Sequence, residues 1–266
     1  MCIGIIRLQQ RLRWIRRVWI MYNTEAPYST KTVKHEDRDA FNWTANYRWD
    51  SDIPIPYGYY SKYSESPAGL KNVHVNHAEG KTKKVAMFVS NCHAHSGRLQ
   101  YARELSEHIA VDIYGRCGTM TCSITDESAC FDMLARDYKF YLSFENSLCH
   151  YYITEKLFRN ALQNNVLPIV MGPGRADYEM VAPKNSFLHV DDFGSPKELA
   201  EYLHVLDQSP SMYNEFFQWK NNGSITTDTR FYCRLCAMLH DEQRPRKHYE
   251  NFPEWWDGLG VCQKKY

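Results

Sequence analysis

From Lys81 onward, short β-branched runs alternate with longer amphipathic stretches, and no other feature of this sequence constrains its fold as strongly. This alternation is typical of βαβ units that build a parallel sheet. Its periodicity predicts strands at 85–89, 111–114, 140–144, 166–171 and 187–190. It also predicts helices at 99–109, 154–164 and 196–209. Thr154 is expected to cap the second of these helices, and Ser195 to begin the third with a capping box. The chain after residue 80 is therefore expected to be α/β.

The first 80 residues are less periodic, with one candidate strand at 18–21 and a Pro- and Ser-rich stretch that is typical of loop. A chain of 266 residues fits one large domain or two modest ones, and two are favoured. The polar segment 76–84 is the expected boundary between them. The sequence thus predicts an N-terminal part at 1–80, an α/β part at 81–232, and a cysteine-containing C-terminal tail at 233–266.

Charge and hydropathy exclude some classes of function. Lys and Arg total 32 against 31 for Asp and Glu, so the chain does not hold nucleic acid by bulk charge. No apolar run is long enough to cross a membrane. The opening 24 residues are basic, without an acidic residue, and formally resemble a transit peptide. They lack Ser, however, and a basic surface helix or a truncated start of a domain are alternatives, of which the truncated start is favoured.

Nine cysteines are many for a cytosolic chain of this length, and they favour an oxidising compartment. Cys233 and Cys236 form a CxxC pair that is followed by Cys262, and we expect these cysteines to be oxidised, the pair either with each other or with distant partners. Zinc would require a second ligand pair, and only His240 and His248 lie nearby, so zinc is disfavoured.

The densest polar cluster lies where the strand at 140–144 ends and the helix at 154–164 begins. Ligands of open α/β sheets bind beyond the carboxyl ends of the strands, where a helix N-terminus offers N–H groups to an anion. Lys156 adds a positive charge there, so a phosphate or diphosphate is the natural ligand, and Glu155 can accept hydrogen bonds from ribose hydroxyls. From spacing alone, a capped helix with an ordinary Glu and Lys on its solvated face is the simpler explanation.

Other candidate residues carry weaker signals. Arg98 begins a helix just after a strand, where its guanidinium can bind a second phosphate oxygen bidentately, although a solvated arginine explains the same pattern. The chain has no P-loop and no GxGxxG motif. The Asp50-Ser51-Asp52 run matches a metal-binding DxD pattern, but structural salt bridges are favoured for it and for Asp191-Asp192. No role is assigned to His93, His95 or His150.

Taken together, these segments resemble the α1,3-fucosyltransferase family that uses GDP-fucose. The most specific match is Phe144-Glu145-Asn146-Ser147 together with Tyr152-Ile153-Thr154-Glu155-Lys156. Other matching stretches are 23–27, 41–44, 47–53, 57–58, 90–92 with Arg98, 138–147, 152–160, 168–172, 178–179, 186–193, 195–206 and Trp219. The resemblance covers most of the chain from Trp19 onward.

The resemblance implies a GT-B-like α/β fold in which two Rossmann-like domains face a cleft, with the N-terminal half incomplete in this chain. It implies that the C-terminal half binds the donor nucleotide and that the N-terminal half holds most of the acceptor. The implied reaction is an inverting transfer. By position, Glu25 resembles the general base that takes the proton of the acceptor hydroxyl.

The donor-binding residues implied by the resemblance are Arg98, Asn146, Tyr152, Glu155 and Lys156. Arg98 and Lys156 would neutralise the departing GDP, Glu155 would hold the ribose, and the other two would line the donor pocket. Because these two cations can balance the charge of the leaving group, no metal or other cofactor is expected to be required.

The cysteines at 117, 122, 130, 233 and 236 make the chain most similar to the branch that fucosylates the core of glycoprotein N-glycans. That branch implies the Golgi lumen and a single-pass membrane anchor, which this sequence does not contain. The expected partners are GDP-fucose and an N-glycan acceptor. An alternative is a truncated, inactive homologue that binds nucleotide or glycan without turnover, and donor hydrolysis would distinguish the two.

Overall fold

The computed structural model describes residues 17–30, 37–64, 75–122 and 127–263. Its strands are β1 (Ile20–Asn23), β2 (Trp43–Asn46), β3 (Tyr59–Lys62), β4 (Lys83–Phe88), β5 (Val111–Tyr114), β6 (Tyr138–Phe144), β7 (Leu148–Cys149), β8 (Leu167–Met171), β9 (Leu188–His189), β10 (Gly223–Thr226) and β11 (Cys262–Gln263). The predicted strands all appear, with ends displaced by one or two residues.

The α-helices are α1 (Arg98–Ser106), α2 (Glu127–Asp137), α3 (Arg175–Val181), α4 (Pro196–Gln208), α5 (Pro210–Glu215), α6 (Phe231–His240) and α7 (Phe252–Asp257). A π-helix covers Lys156–Leu162, and short 3₁₀ turns cover Pro27–Ser29, Val190–Asp192 and Gln218–Asn221. The three predicted helices correspond to α1, the π-helix and α4.

A five-stranded parallel sheet in the order β5-β4-β6-β8-β9 forms the centre of the molecule. The chain begins this sheet at β4, moves to β5 at one edge, and then crosses to β6 on the other side of β4. The direction of winding therefore reverses between β4 and β6. In open α/β sheets, ligands bind outside the carboxyl ends of the strands at such a switch point.

Helices cover both faces of this sheet. Alternate residues of a strand point to opposite sides, so each face has a core of its own. Val85 and Met87 of β4 belong to the core beneath α1 and α4. Ala86, which lies between them, belongs to the core that includes residues of α2 and the π-helix. The predicted α/β part is thus a doubly wound, Rossmann-like layer arrangement.

The N-terminal residues pack against the C-terminal end of the chain. β1 and β2 form a parallel pair, and the Cys149–Cys262 disulfide fastens β7 to β11. One buried cluster joins these segments and α7: Met21, Ala26, Tyr47, Cys149, Tyr152, Phe252 and Trp256. This packing holds the chain around residue 25 beside the loop that follows β6.

Two helix starts differ from the predicted caps. The Thr154 hydroxyl donates to the Glu145 carboxylate instead of capping a helix, and the π-helix begins at Lys156. Ser195 Oγ accepts from Glu198 N, as predicted, but the Glu198 carboxylate accepts from Gly194 N. In the first case the Thr154 oxygen accepts from Lys156 Nζ at 2.8 Å, so the ammonium takes the place of the backbone N–H that a capped helix would offer.

Among the described residues, three disulfides join Cys92 to Cys117, Cys122 to Cys130 and Cys149 to Cys262. The expectation of oxidised cysteines is therefore confirmed for Cys262, whereas the expectation for Cys236 is wrong. The Cys236 thiol, on α6, is exposed and forms no disulfide.

The division into parts at 1–80, 81–232 and 233–266 remains a prediction. Its second boundary falls inside α6. Much of the basic opening segment, at residues 1–16, lies outside the described residues. Among the helices that are described, none has the length and apolar character needed to cross a membrane.

Candidate active site

The loops that follow β4 and β6 bring most of the predicted site residues to the switch point of the sheet. Arg98 is the first residue of α1, in the connection after β4. Asn146 lies two residues beyond the end of β6, and Glu155 and Lys156 stand at the start of the π-helix. The structure thus gathers on one edge of the sheet residues that are up to 58 positions apart, counting from Arg98 to Lys156.

Glu145 is the centre of this site, although the sequence assigned it no role. It follows β6 directly and is fully buried. Its carboxylate accepts from Thr154 N at 2.8 Å, from Thr154 Oγ1 at 2.9 Å, and from Lys156 Nζ at 3.2 Å. Burial raises the pKa of Glu145, and the Lys156 charge opposes that rise. A carboxylate directly after a buried strand, followed by Thr and Lys at the next helix start, is the sequence signal that could have identified it.

Lys156 is held by three acceptors. Its ammonium donates to Glu145 (3.2 Å), to Thr154 Oγ1 (2.8 Å) and to Glu155 (3.1 Å), and its side chain is only 16% exposed. Burial opposes the charge, but the two carboxylates outweigh it and raise the pKa of Lys156. The simpler explanation of the sequence, in which Lys156 lies on a solvated helix face, is therefore wrong. The half-exposed Glu155 is the partner that a ligand can replace most easily.

Arg98 connects the two loops of the switch point. It is 4% exposed, and its guanidinium donates to the carbonyl oxygens of Phe144 (3.0 Å) and Asn91 (3.2 Å). Its Nε is buried and has no hydrogen-bond partner. Burial lowers the pKa of Arg98 from its usual value. A fixed guanidinium with an unused N–H group is a suitable anchor for an anion.

Tyr152 joins Glu25 to this group. Its hydroxyl donates to Glu25 Oε2 at 2.9 Å. Its buried ring packs edge-to-face against the Tyr47 ring, with the two ring centres 5.0 Å apart. Burial, followed by the charges of Glu145 and Glu25, raises the pKa of Tyr152, so the hydroxyl remains a donor. Glu25 itself is exposed, which leaves its other carboxylate oxygen accessible.

A second contact fastens the same segment to the donor loops. Asn146 Nδ2 lies 3.3 Å from Ser29 Oγ, and Asn146 Oδ1 is buried without a hydrogen-bond partner. The predicted base and the predicted donor residues therefore form one continuous site. The sequence placed Tyr152 in the donor pocket but did not reveal that it also holds Glu25.

A pocket of about 340 Å³ opens beside these residues, at the carboxyl ends of β4 and β5. Its walls are formed by Phe88, Val89, Ser90, Tyr114, Gly115, Cys122, Glu127, Cys130, Phe131, Glu155, Lys156 and Asn160. A larger cleft of about 790 Å³, near α3, α4 and α5, contains none of the predicted site residues.

The paired aspartates serve structural ion pairs, as the sequence favoured. Asp50 receives two hydrogen bonds from Arg48, at 2.8 and 2.7 Å. Asp52 pairs with Lys247 at 2.8 Å and accepts from the Thr44 backbone at 2.9 Å. Asp192 of the second run pairs with Arg175.

A doubly wound sheet with buried cations at its switch point is the arrangement in which many α/β proteins bind nucleotides. Comparisons with known proteins identify the family of this chain. Residues 2–58 match the family model described as "Fucosyltransferase, N-terminal", and residues 78–255 match "Glycosyltransferase family 10 (fucosyltransferase) C-term". The chain belongs to glycosyltransferase family 10, the fucosyltransferases.

Named relatives agree with this assignment. The chain is 51% identical over 93% of its length to "Glycoprotein 3-alpha-L-fucosyltransferase A" of Drosophila melanogaster, covering 49% of that protein. It is 37% identical over 90% of its length to human "Alpha-(1,3)-fucosyltransferase 4", covering 45% of that protein. The chain spans about half the length of these curated relatives.

A solved structure confirms the predicted GT-B-like α/β fold. "Crystal Structure of alpha1,3-Fucosyltransferase with GDP-fucose" superposes with a TM-score of 0.58 at 16% sequence identity. The match covers 86% of this chain and 76% of that one.

Proposed function

We propose that this chain transfers L-fucose from GDP-fucose to the 3-hydroxyl of a GlcNAc in a glycoprotein glycan, with the N-glycan core as the acceptor. The observation that carries the proposal is the 2.9 Å hydrogen bond from Tyr152 to Glu25, because it joins a carboxylate of the N-terminal segment to the stretch between β6 and the π-helix that begins at Lys156. The glycoprotein 3-fucosyltransferase relative supports the class of acceptor.

The donor diphosphate is proposed to bind Arg98 and Lys156. Arg98 offers its unused Nε–H, and its position is already fixed by two backbone carbonyls. Lys156 has its N–H groups occupied, so a phosphate oxygen must replace one acceptor. Glu155 is the most exposed of the three and would then turn to the ribose hydroxyls, as its predicted role requires. Asn146 would offer its unpartnered amide oxygen to the sugar.

In the proposed inverting step, the bond between the anomeric carbon and the diphosphate oxygen breaks while the acceptor 3-oxygen attacks from the opposite side. Glu25 takes the proton of that hydroxyl through the carboxylate oxygen that Tyr152 leaves accessible. As the bond breaks, negative charge grows on the GDP and positive charge grows on the fucose ring. Arg98 and Lys156 bind the diphosphate more strongly at that stage, which lowers the barrier.

The same arrangement leads us to propose that no divalent metal is required. The Asp50 and Asp52 carboxylates are engaged by Arg48, Lys247 and Thr44, and the two site cations already balance the leaving group. We also propose that the protein works in the Golgi lumen, held by a membrane anchor. The three disulfides suit such an oxidising compartment.

The proposal is tested by incubating the purified chain with GDP-fucose and a panel of N-glycan core and lactosamine acceptors. Transfer to the innermost GlcNAc of the core, with inversion at the anomeric carbon, is expected. Transfer to lactosamine alone would refute the acceptor assignment. GDP binding without either transfer or donor hydrolysis would instead support the alternative of a homologue without turnover.

A further inference from the structure

The chain contains two Asn-X-Ser/Thr triplets, Asn42-Trp43-Thr44 and Asn222-Gly223-Ser224, and the proposed reaction uses neither of them. In a protein that enters the secretory pathway, such a triplet is the acceptor for an N-linked oligosaccharide. The oligosaccharide is bulky, so the folded chain has to leave the asparagine amide open to solvent. The structure separates the two triplets by this criterion.

The side chain of Asn42 is engaged at both amide atoms. Its Oδ1 accepts from Trp19 N at 2.9 Å, and its Nδ2 donates to Lys247 O at 3.1 Å. Thr44, the third residue of this triplet, is completely buried. An oligosaccharide on Asn42 would therefore have to displace a contact with the C-terminal part of the chain.

The triplet at Asn222 has the opposite character. Asn222 and Ser224 are exposed, whereas Gly223 between them is buried opposite Lys62 in the antiparallel pair of β10 and β3. Among the described residues, neither the Asn222 amide nor the Ser224 hydroxyl has a hydrogen-bond partner. The two side chains that define the triplet are thus both open to solvent, while the residue between them packs on the neighbouring strand.

The backbone of Asn222 is nevertheless fixed. Its N–H donates to Trp219 O at 3.0 Å, and its carbonyl oxygen accepts from Tyr63 N at 3.0 Å. Trp219 is buried in the core cluster that includes Phe158 of the π-helix. Neither Asn222 nor Ser224 lines the pocket beside the site or the larger cleft near α3. A sugar attached to Asn222 therefore starts outside both cavities, on an ordered part of the surface.

Resting on the Golgi location that is part of the proposed function, we infer that Asn222 carries an N-linked oligosaccharide. A bond forms between Asn222 Nδ2 and the anomeric carbon of the first sugar, while the bond from that carbon to the diphosphate of a lipid-linked oligosaccharide breaks. The amide loses one proton to the oligosaccharide transferase of the host cell, and the lipid diphosphate leaves. The Ser224 hydroxyl is the second group by which that transferase recognises the triplet.

The test expresses the chain behind a cleavable signal peptide in animal cells and analyses both cell-retained and secreted protein. A peptide-N-glycosidase that tolerates core fucose, used in heavy-oxygen water, converts a glycosylated asparagine to labelled aspartate. Mass spectrometry of the tryptic peptides then identifies the residue. Most parent molecules are expected to carry the label at Asn222. Asn222→Gln and Ser224→Ala should lose it completely, and Ser224→Thr, which keeps the hydroxyl, should retain it.

Asn221→Gln is the matched control, because it changes the neighbouring asparagine and leaves the triplet intact. It should be labelled at Asn222 as the parent is. A parent chain whose Asn222 is unmodified in nearly all molecules overturns the inference, as does a label that survives Ser224→Ala. Fucose transfer is measured on the same preparation. Transfer without a glycan at Asn222 overturns this inference alone, whereas a glycan at Asn222 without transfer overturns the proposed reaction alone.

Discussion

The Glu145–Lys156 pair offers the most quantitative test of how this site is built. Lys156→Met removes the ammonium but keeps most of the side-chain length, and it leaves the fully buried Glu145 carboxylate with Thr154 alone. Removing one partner of a buried ion pair costs about 3–5 kcal/mol of the free energy of unfolding. At about 2–4 °C per kcal/mol for a chain of this size, the melting temperature should fall by about 6–20 °C.

A double-mutant cycle separates this electrostatic effect from simple loss of packing. Glu145→Gln together with Lys156→Met removes both charges. The free energy of unfolding lost by this double variant should be about 1–3 kcal/mol smaller than the sum of the two single losses. Urea unfolding of the oxidised protein measures all four species. Glu155→Gln is the control, because that carboxylate is 45% exposed and its pairing with Lys156 should contribute about 1 kcal/mol or less. Strictly additive single effects would refute the account of a coupled buried pair.

Three further predictions concern stability and cofactor use. Replacing Cys149 and Cys262 by Ser should cost about 4–5 kcal/mol, against about 2–3 kcal/mol for Cys122 and Cys130, because their sequence separations are 113 and 8 residues; equal losses in thermal unfolding would contradict the loop argument. Lys139 and Lys84 lower the pKa of Asp207 although burial opposes them. Asp207→Asn should therefore destabilise the fold at neutral pH, and progressively less as the pH falls below about 4. A difference in stability from the parent that stays constant down to about pH 2 would contradict this. Fucose transfer should persist in excess EDTA, and its complete loss, with recovery on adding a divalent metal, would contradict the proposed metal-independent mechanism.

The central sheet could be predicted from sequence because buried parallel strands are continuous apolar runs, such as the one at 166–171. α2 was not predicted; its buried residues are Cys130 and Leu134, a short apolar face for a helix of 11 residues. The two-residue strands β7 and β11 were also missed. They exist because Cys149 and Cys262 are joined across the chain, and no local signal encodes that pairing.

The candidate site was predicted in part for a similar reason. Arg98 and Lys156 stand at helix starts after strands, so their placement follows from the topology rule for α/β sheets. The contact between Tyr152 and Glu25 joins residues 127 positions apart and depends on how the N-terminal segment packs, which periodicity does not reveal. The central position of Glu145 likewise follows from its complete burial, which only the structure shows.

The most direct test of the proposed reaction is fucose transfer by Glu25→Gln, measured together with GDP affinity on one preparation. Glutamine keeps the size of the side chain and can still accept a hydrogen bond from Tyr152, but it cannot take the proton of the acceptor hydroxyl. Transfer should fall by about 10²–10⁴-fold. GDP affinity and thermal stability should remain those of the parent, because Glu25 is exposed and the cations that bind the diphosphate are unchanged. Transfer within a few-fold of the parent by a folded Glu25→Gln protein would contradict the assignment of Glu25 as the base.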